Sequence, residues 1–289
     1  MEQMRYEAPD TVDAAVALLV GAGGETRILA GGTDLLVQLR AEWIEPDLIL
    51  DVKKIPELTE ISKENGGFRI GAAVTGAELG EHLGVKKAWP GVVEAVELIG
   101  SVQIQSRATM GGNLCNASPA ADSVPALIAA GATAAIAGPN GRREIPVEDV
   151  GTGPGRTCLA KGEIVTSIFL PSRPAHSGDA YLRFIPRTEM DIAVVGAGVS
   201  LTLDGGGKCS AARVALGAVA ERALLVDAAA RALIGTPVDD AALDNLAKAA
   251  SAAARPIDDK RGTKEYRIKV SGVLARRAAQ AALERARQS

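Results

Sequence analysis

The chain has 289 residues, 47% of them hydrophobic and 23% charged, with 32 Lys plus Arg against 35 Asp plus Glu and a formal charge of −3. This length suits two ordinary domains with real cores, and the composition excludes a disordered chain. The near-neutral balance excludes a nucleic-acid binder held mainly by a basic surface. Three Phe, three Tyr and two Trp are too few for a many-ringed cage or stacking platform.

The three cysteines, Cys115, Cys158 and Cys209, form no C-x-x-C pair, and the two histidines are His82 and His176. The chain alone therefore lacks the four thiolates of an ordinary iron–sulfur cluster and the ligands of a His-rich zinc site. A sparse, odd cysteine set points to a reducing compartment, so a cytoplasmic location is expected. Met1 to Tyr6 has no apolar signal-peptide core, and no run of 18 apolar residues is present, so no membrane span is expected.

In chain order, Thr11 is placed to cap a helix whose apolar face is Val12, Val16 and Leu19, ended by Gly21, Gly23 and Gly24. Thr26 to Ala30 reads as a strand, then Gly31-Gly32-Thr33-Asp34, a helical run with Leu35, Leu36 and Leu39, and a buried strand from Leu48 to Val52. This order suits an α/β unit. A second unit begins near Phe68 with a strand to Ala72, and Thr75 and Glu78 have capping-box spacing. A helix is expected over Gly91 to Ile99, and a long polar stretch with little periodicity over Gly100 to Asp122. Pro125 then opens a helix, and Glu163 to Leu170 reads as a strand.

Pro171 to Gly178 reads as a linker. Beyond it, Tyr181 to Ile185, Ala193 to Leu203 and Cys209 to Ala218 read as three antiparallel strands, with Gly205-Gly206-Gly207 turning the second into the third. Helices are expected at Ala223 to Leu233, Asp240 to Ala254 and Lys264 to Arg287, the last with Tyr266, Val270, Val273 and Leu274 on one face. Two domains are expected, 1–175 (subdomains about 1–55 and 56–175) and 176–289.

Two glycine loops are the candidate sites. In Ala30-Gly31-Gly32-Thr33-Asp34 the glycines permit close approach of a ligand, and exposed N–H groups can cradle a phosphate. Asp34 would repel a phosphate unless turned away, so a helix-capping role suits it better. The alternative is a plain strand-to-helix turn; the spacing matches neither G-x-G-x-x-G nor a P-loop. The segment Ser106 to Asp122 holds Thr109, Gly111, Gly112, Asn113, Asn116, Ser118 and Asp122, many donors for a structural loop. A self-held Ω-loop is its alternative. Together the loops suit a dinucleotide, with the chemistry carried by the cofactor.

Arg27-Ile-Leu-Ala-Gly-Gly-Thr-Asp-Leu-Leu36 and Ala108-Thr-Met-Gly-Gly-Asn-Leu-Cys-Asn-Ala-Ser-Pro-Ala-Ala-Asp122 resemble the two FAD loops of the molybdenum hydroxylase flavoprotein (medium) subunits, those of xanthine dehydrogenase-like, carbon monoxide dehydrogenase-like and 4-hydroxybenzoyl-CoA reductase-like complexes. Arg183 to Ala193 and the final helix around Glu265-Tyr-Arg resemble further family segments, so the resemblance spans the chain. It implies an α+β protein: a vanillyl-alcohol-oxidase-type FAD-binding domain of two α/β subdomains, then a smaller domain with a three-stranded antiparallel sheet and a helical bundle. It also assigns the site. Ile28, Leu29, Ala30, Gly31, Gly32, Thr33, Asp34 and Leu35 follow the pyrophosphate. Thr109, Gly112, Asn113 and Cys115 complete the pocket, with Asp122 on a ribose or adenine-side group. Ile99 and Gly100 lie near the flavin, Ile164 and Val165 near the adenine, and Arg183 near the flavin ring, where a surface ion pair is its alternative.

Thr33-Asp34 stands where carbon monoxide dehydrogenase-like relatives tend to carry His-Ser, which favours a xanthine dehydrogenase-like branch. Three dispersed cysteines argue against the cysteine-rich insertion of the 4-hydroxybenzoyl-CoA reductase branch. No His lies in either loop, so non-covalent FAD is expected, with Cys115 a small buried residue rather than a tether. The implied role is an electron-transfer subunit. It takes electrons from [2Fe–2S] clusters on a small partner subunit, fed by a large molybdenum-cofactor subunit, and passes them to an external acceptor. The implied assembly is a dimer of heterotrimers. A self-contained flavin oxidase and a non-redox nucleotide-binding module are the competing readings. Arg187, Glu189 and Asp191 either position the second domain over the flavin or form a local solvated network.

Overall fold

The computed structural model describes residues 4–289; Met1, Glu2 and Gln3, the start of the segment read above for a leader, lie outside them. The first unit holds β1 (Arg5–Glu7), α1 (Val12–Gly21), β2 (Thr26–Leu29), α2 (Leu35–Arg40) and β3 (Leu48–Asp51). The three strands are parallel in the order β1-β3-β2. All four residues of the central β3 are buried, which its unbroken apolar run requires. Thr11 caps α1 by accepting the Ala14 N–H at 3.2 Å, as its position predicts. Ala15, not Val16, joins Val12 and Leu19 as fully buried on that helix. Strand β1 has no apolar alternation and so left no sequence signal; the Tyr6 hydroxyl ties it to Asp51 at 2.6 Å.

The second unit holds β4 (Ile61–Glu64), β5 (Gly67–Gly71), α3 (Gly76–Glu81), α4 (Leu83–Ala88), α5 (Pro90–Glu97), α6 (Val102–Gln105), α7 (Met110–Cys115), α8 (Ser123–Ala130), β6 (Thr133–Gly138), β7 (Gly141–Pro146), β8 (Gly151–Gly153), β9 (Arg156–Thr157) and β10 (Ile164–Leu170). Its five-stranded sheet, β4-β5-β10-β6-β7, is antiparallel throughout. The reciprocal Thr75–Glu78 capping box forms as the spacing predicts. Gly100 to Asp122 contains α6 and α7, whose four and six residues are too few to show a period. Pro125 is the third residue of α8, not its first.

The third unit holds β11 (Ser177–Phe184), β12 (Val195–Leu203), β13 (Cys209–Gly217), β14 (Leu224–Leu225), α9 (Asp227–Leu233), α10 (Asp240–Ala253) and α11 (Lys264–Gln288). The three long strands form the expected antiparallel meander, and β14 adds a two-residue edge. The buried face of α11 differs from the expected one. Arg267, Ser271, Leu274 and Ala275, Ala278, Ala279, Ala282 and Ala286 face inward, whereas Tyr266 and Val273 are exposed. The sheet comes so close that small residues are needed: a Cβ at Gly178 would lie 1.9 Å from the Ala282 carbonyl oxygen.

There are two hydrophobic clusters, one drawn mainly from residues 12–170 and one from residues 180–286. Helix α8 sits where they meet. A Cβ at Gly198 of β12 would lie 2.5 Å from the Pro125 carbonyl oxygen, and one at Gly217 of β13 would lie 2.7 Å from the Pro125 ring.

Candidate functional site

The two glycine loops lie against each other. A Cβ at Gly31 would lie 2.0 Å from the Arg107 carbonyl oxygen, so only glycine permits this contact. Gly32 has φ +76°, a left-handed conformation that turns the chain from β2 towards α2. In the second loop Thr109 caps α7 by accepting the Gly112 N–H at 2.9 Å. The Ala108 carbonyl accepts the Gly76 N–H at 2.8 Å, which fastens this loop beside α3.

Between them opens a cleft of about 530 Å³. Its walls include Ile28, Ala30, Gly31, Gly32, Thr33, Asp34 and Leu35 from the first loop, and Thr109, Gly112, Asn113 and Cys115 from the second. Ile99, Ile164 and Val165 line it as well. Among the described residues, the N–H groups of Gly31 to Leu35 donate to no protein acceptor, the usual state of a helix start before an anion arrives. A Cβ at Gly112 would meet only the Thr109 hydroxyl, so no other protein atom crowds that side of the glycine. Unpaired donors, absent side chains and flanking apolar walls fit a dinucleotide with a central diphosphate.

Four expected site residues are not in the cleft wall. Leu29 packs its side chain beneath Gly32, whose added Cβ would lie 2.8 Å from Leu29 Cδ1. Gly100 forms a positive-φ turn against the Ile104 side chain. Asp122 and Arg183 hold each other: an Arg183 guanidinium N–H donates to Asp122 Oδ2 at 3.0 Å and to the Leu98 carbonyl at 2.8 Å. The Tyr181 hydroxyl donates to Asp122 Oδ1 at 3.1 Å. Arg183 is thus a buried ion pair between units, not the surface pair that was its alternative.

Asp34 stands at the start of α2 but makes no side-chain cap bond, contrary to the capping role expected of it. Burial raises its carboxyl above the usual range. Asn113 Oδ1 accepts both the Ser123 N–H, at 3.1 Å, and the Ser123 hydroxyl, at 2.7 Å, which joins the second loop to α8. Burial pushes the Cys115 thiol up to about 12, with Cys158 adding to it, so it is an inert neighbour in the wall. Asp191 pairs with Arg187 and Arg261, a network confined to the third unit.

Sequence reasoning left out Thr26 and the β8–β9 segment with Gly155, Thr157 and Leu159, and noted Gly111 and Asn116 without assigning them to the cofactor; all are part of the wall. Gly111 and Asn116 lie inside the second motif and were legible there. The β8–β9 hairpin carried only a generic turn signal, Gly153-Pro154-Gly155, and reaches the cleft through tertiary packing alone.

Residues 2–173 match the family described as the FAD binding domain in molybdopterin dehydrogenase, and residues 180–282 match the CO dehydrogenase flavoprotein C-terminal domain. The chain belongs to the molybdenum hydroxylase flavoproteins. It is 36% identical to the carbon monoxide dehydrogenase medium chain of Afipia carboxidovorans, over 98% of this chain and 97% of that one. It is 31% identical to the xanthine dehydrogenase FAD-binding subunit of Escherichia coli O157:H7, over 91% and 90%. A solved carbon monoxide dehydrogenase from Hydrogenophaga pseudoflava superposes with a TM-score of 0.94 at 34% identity, covering 98% of each chain. As a member of these flavoproteins the chain is an oxidoreductase subunit with an FAD-binding domain. The Thr33-Asp34 departure does not track overall likeness, since identity is higher to this carbon monoxide dehydrogenase chain than to this xanthine dehydrogenase one.

Proposed function

We propose that the cleft holds FAD without a covalent bond, and that the chain is the electron-transfer subunit of a molybdenum hydroxylase. The observation that carries this is the meeting of two glycine loops around unpaired backbone donors. FAD, when bound, supplies a ring system that exchanges one or two electrons with its surroundings. Gly31 to Leu35 would hold the diphosphate through their N–H groups. Gly112 leaves room for close approach, and Ile99, Ile164 and Val165 would pack against the rings. Cys115 would stay protonated and apolar beside them.

The partners of this reading are a large molybdenum-cofactor subunit and a small [2Fe–2S] subunit, arranged as a dimer of heterotrimers in the cytoplasm. Its support is that relatives bear names such as "medium chain" and "FAD-binding subunit" and that three cysteines leave no place here for clusters. Among the described residues, no helix is long and apolar enough to cross a membrane. A boundary near residue 175 between FAD-binding and carboxy-terminal domains accords with matches ending at residue 173 and resuming at 180.

Visible absorption of the purified chain tests the cofactor. Wild type is expected to take up FAD, and Gly112→Val to lose it by about 100-fold or more with an unchanged far-UV spectrum, because the branched side chain stands in the ligand's path. Gly32→Val should also lose FAD, through backbone strain at its positive φ. Full FAD content in both variants overturns the site. For the partners, affinity purification of the tagged chain should carry molybdenum and iron with it; a chain that leaves the column with flavin alone contradicts them.

A further inference from the structure

Helix α2 follows the first glycine loop directly, and four of its six residues are apolar, yet none of the six is buried. Its two sides differ. Leu35, Gln38 and Leu39, spaced three and four residues apart, are half-buried, and Leu35 and Gln38 line the cleft. Leu36 and Val37 point the other way and are 52% and 58% exposed. The Trp43 N–H donates to the Gln38 carbonyl at 3.0 Å, which folds the chain back beside the end of the helix, and Trp43 is 75% exposed. The chain's other tryptophan, Trp89, is buried.

Neither folding nor the cleft accounts for the outer side. A six-residue helix is too short to be stable alone and draws its stability from what packs on it, and here only the inner side is packed. Scattered exposed apolar residues are ordinary, but Leu, Val and Trp grouped on one helix and its end are not. Arg40, Glu42 and Glu45, also exposed, add charge of both signs beside them. An apolar centre with a polar rim, and a Trp within it, is how a protein interface is composed. A helix with its side chains is about 10–12 Å across, so a protein seated on the outer side stands roughly that far from whatever the inner side holds. Three cysteines cannot carry clusters, so electrons reach the cleft from another polypeptide. That polypeptide has to stand close to the bound cofactor, a demand that falls on neither a molybdenum-cofactor subunit nor a second copy of this chain.

We infer that the outer side of α2, with Leu36, Val37 and Trp43, is the docking surface for the iron–sulfur subunit. This rests on the reading of the chain as an electron-transfer flavoprotein fed by clusters on a partner. The test uses the assembled complex with the photoreactive amino acid benzoylphenylalanine in place of Trp43. Illumination is expected to link this chain to the iron–sulfur subunit, identified by mass spectrometry. A link to the molybdenum subunit or to a second copy, or no link in a complex that holds all its subunits, overturns the inference. Trp43→Ser is expected to raise the concentration at which the diluted complex releases its iron by about 30-fold, the ordinary loss of a central Trp, with the FAD content of the chain unchanged. Val37→Ser serves the same comparison if the Trp43 variant fails to fold. Iron release at the wild-type concentration overturns the inference as well. A wild-type chain that assembles with no iron-bearing partner overturns the electron-transfer reading instead.

Discussion

Asp122 closes the second glycine loop in sequence, and its carboxylate accepts from Arg183 and Tyr181. Burial pushes its carboxyl up to about 6, although both neighbours favour the charged form. In the unfolded chain an Asp titrates at about 3.9. Between these values the native state binds a proton that the unfolded state does not, so this group's contribution grows as pH falls and is absent above the window. Glu57, Glu64 and Glu163, held low by arginine partners, act in the opposite sense. They cancel when wild type is compared with Asp122→Asn. Urea unfolding of the two proteins should therefore show wild type gaining about 2 kcal/mol on the variant between pH 7 and pH 4. A difference that does not change with pH contradicts the raised carboxyl.

At the scale of elements, the carboxy-terminal helix shows how backbone spacing selects side chains. Helix α11 lies on β11 with Ala278, Ala279, Ala282 and Ala286 inward, and Gly178 meets its backbone directly. On the helix's other contact, a Cβ at Gly272 would lie 2.6 Å from the Ala247 carbonyl oxygen of α10. The apolar spacing of Tyr266, Val270, Val273 and Leu274 found only Leu274 of the buried face, because a hydrophobicity pattern ranks large residues above small ones. Here closeness, not side-chain size, decides what is buried. Gly178→Ala should cost about 3 kcal/mol or more, because its new methyl meets backbone that cannot give way locally. The check is a lower melting temperature with the flavin spectrum kept; an unchanged melting temperature means that α11 can slide.

For the molecule as a whole, a buried lock holds the third unit to the second. Asp179 of β11 accepts from Arg173 at 2.7 Å and from the Gly91 N–H at 2.8 Å. The Arg173 guanidinium lies 4.6 Å from the centre of the Trp89 ring. Arg285 of α11 donates to the Asp179 carbonyl at 2.7 Å and pairs with Glu94 of α5. Removing one member of such a buried pair leaves the other charge without compensation. Asp179→Ala should destabilise the chain by about 3–5 kcal/mol, seen as a lower urea midpoint. A midpoint equal to that of wild type would show that Arg173 reaches solvent or Glu94 instead.

What the residues determined by themselves was local. Thr11 and the Thr75–Glu78 pair cap their helices, because a cap is set by side chains within one turn. Buried β3 and the long antiparallel strands followed from unbroken or alternating apolar runs. The two glycine loops were legible because each glycine pair stands beside clustered polar donors, unlike the plain glycine turns elsewhere in the chain. Strands β1 and β7 were not, since short or polar strands depend on their neighbours for hydrogen bonds, and β6 was not because its alanines carry little strand preference. Only the tertiary structure decided that Gly31 touches the backbone at Arg107, that the β8–β9 hairpin joins the wall, and that Asp122 and Arg183 serve the junction between units. Each of these rests on atoms far apart in sequence. Local spacing says which donors a loop carries; packing says which of them remain unpaired for a ligand.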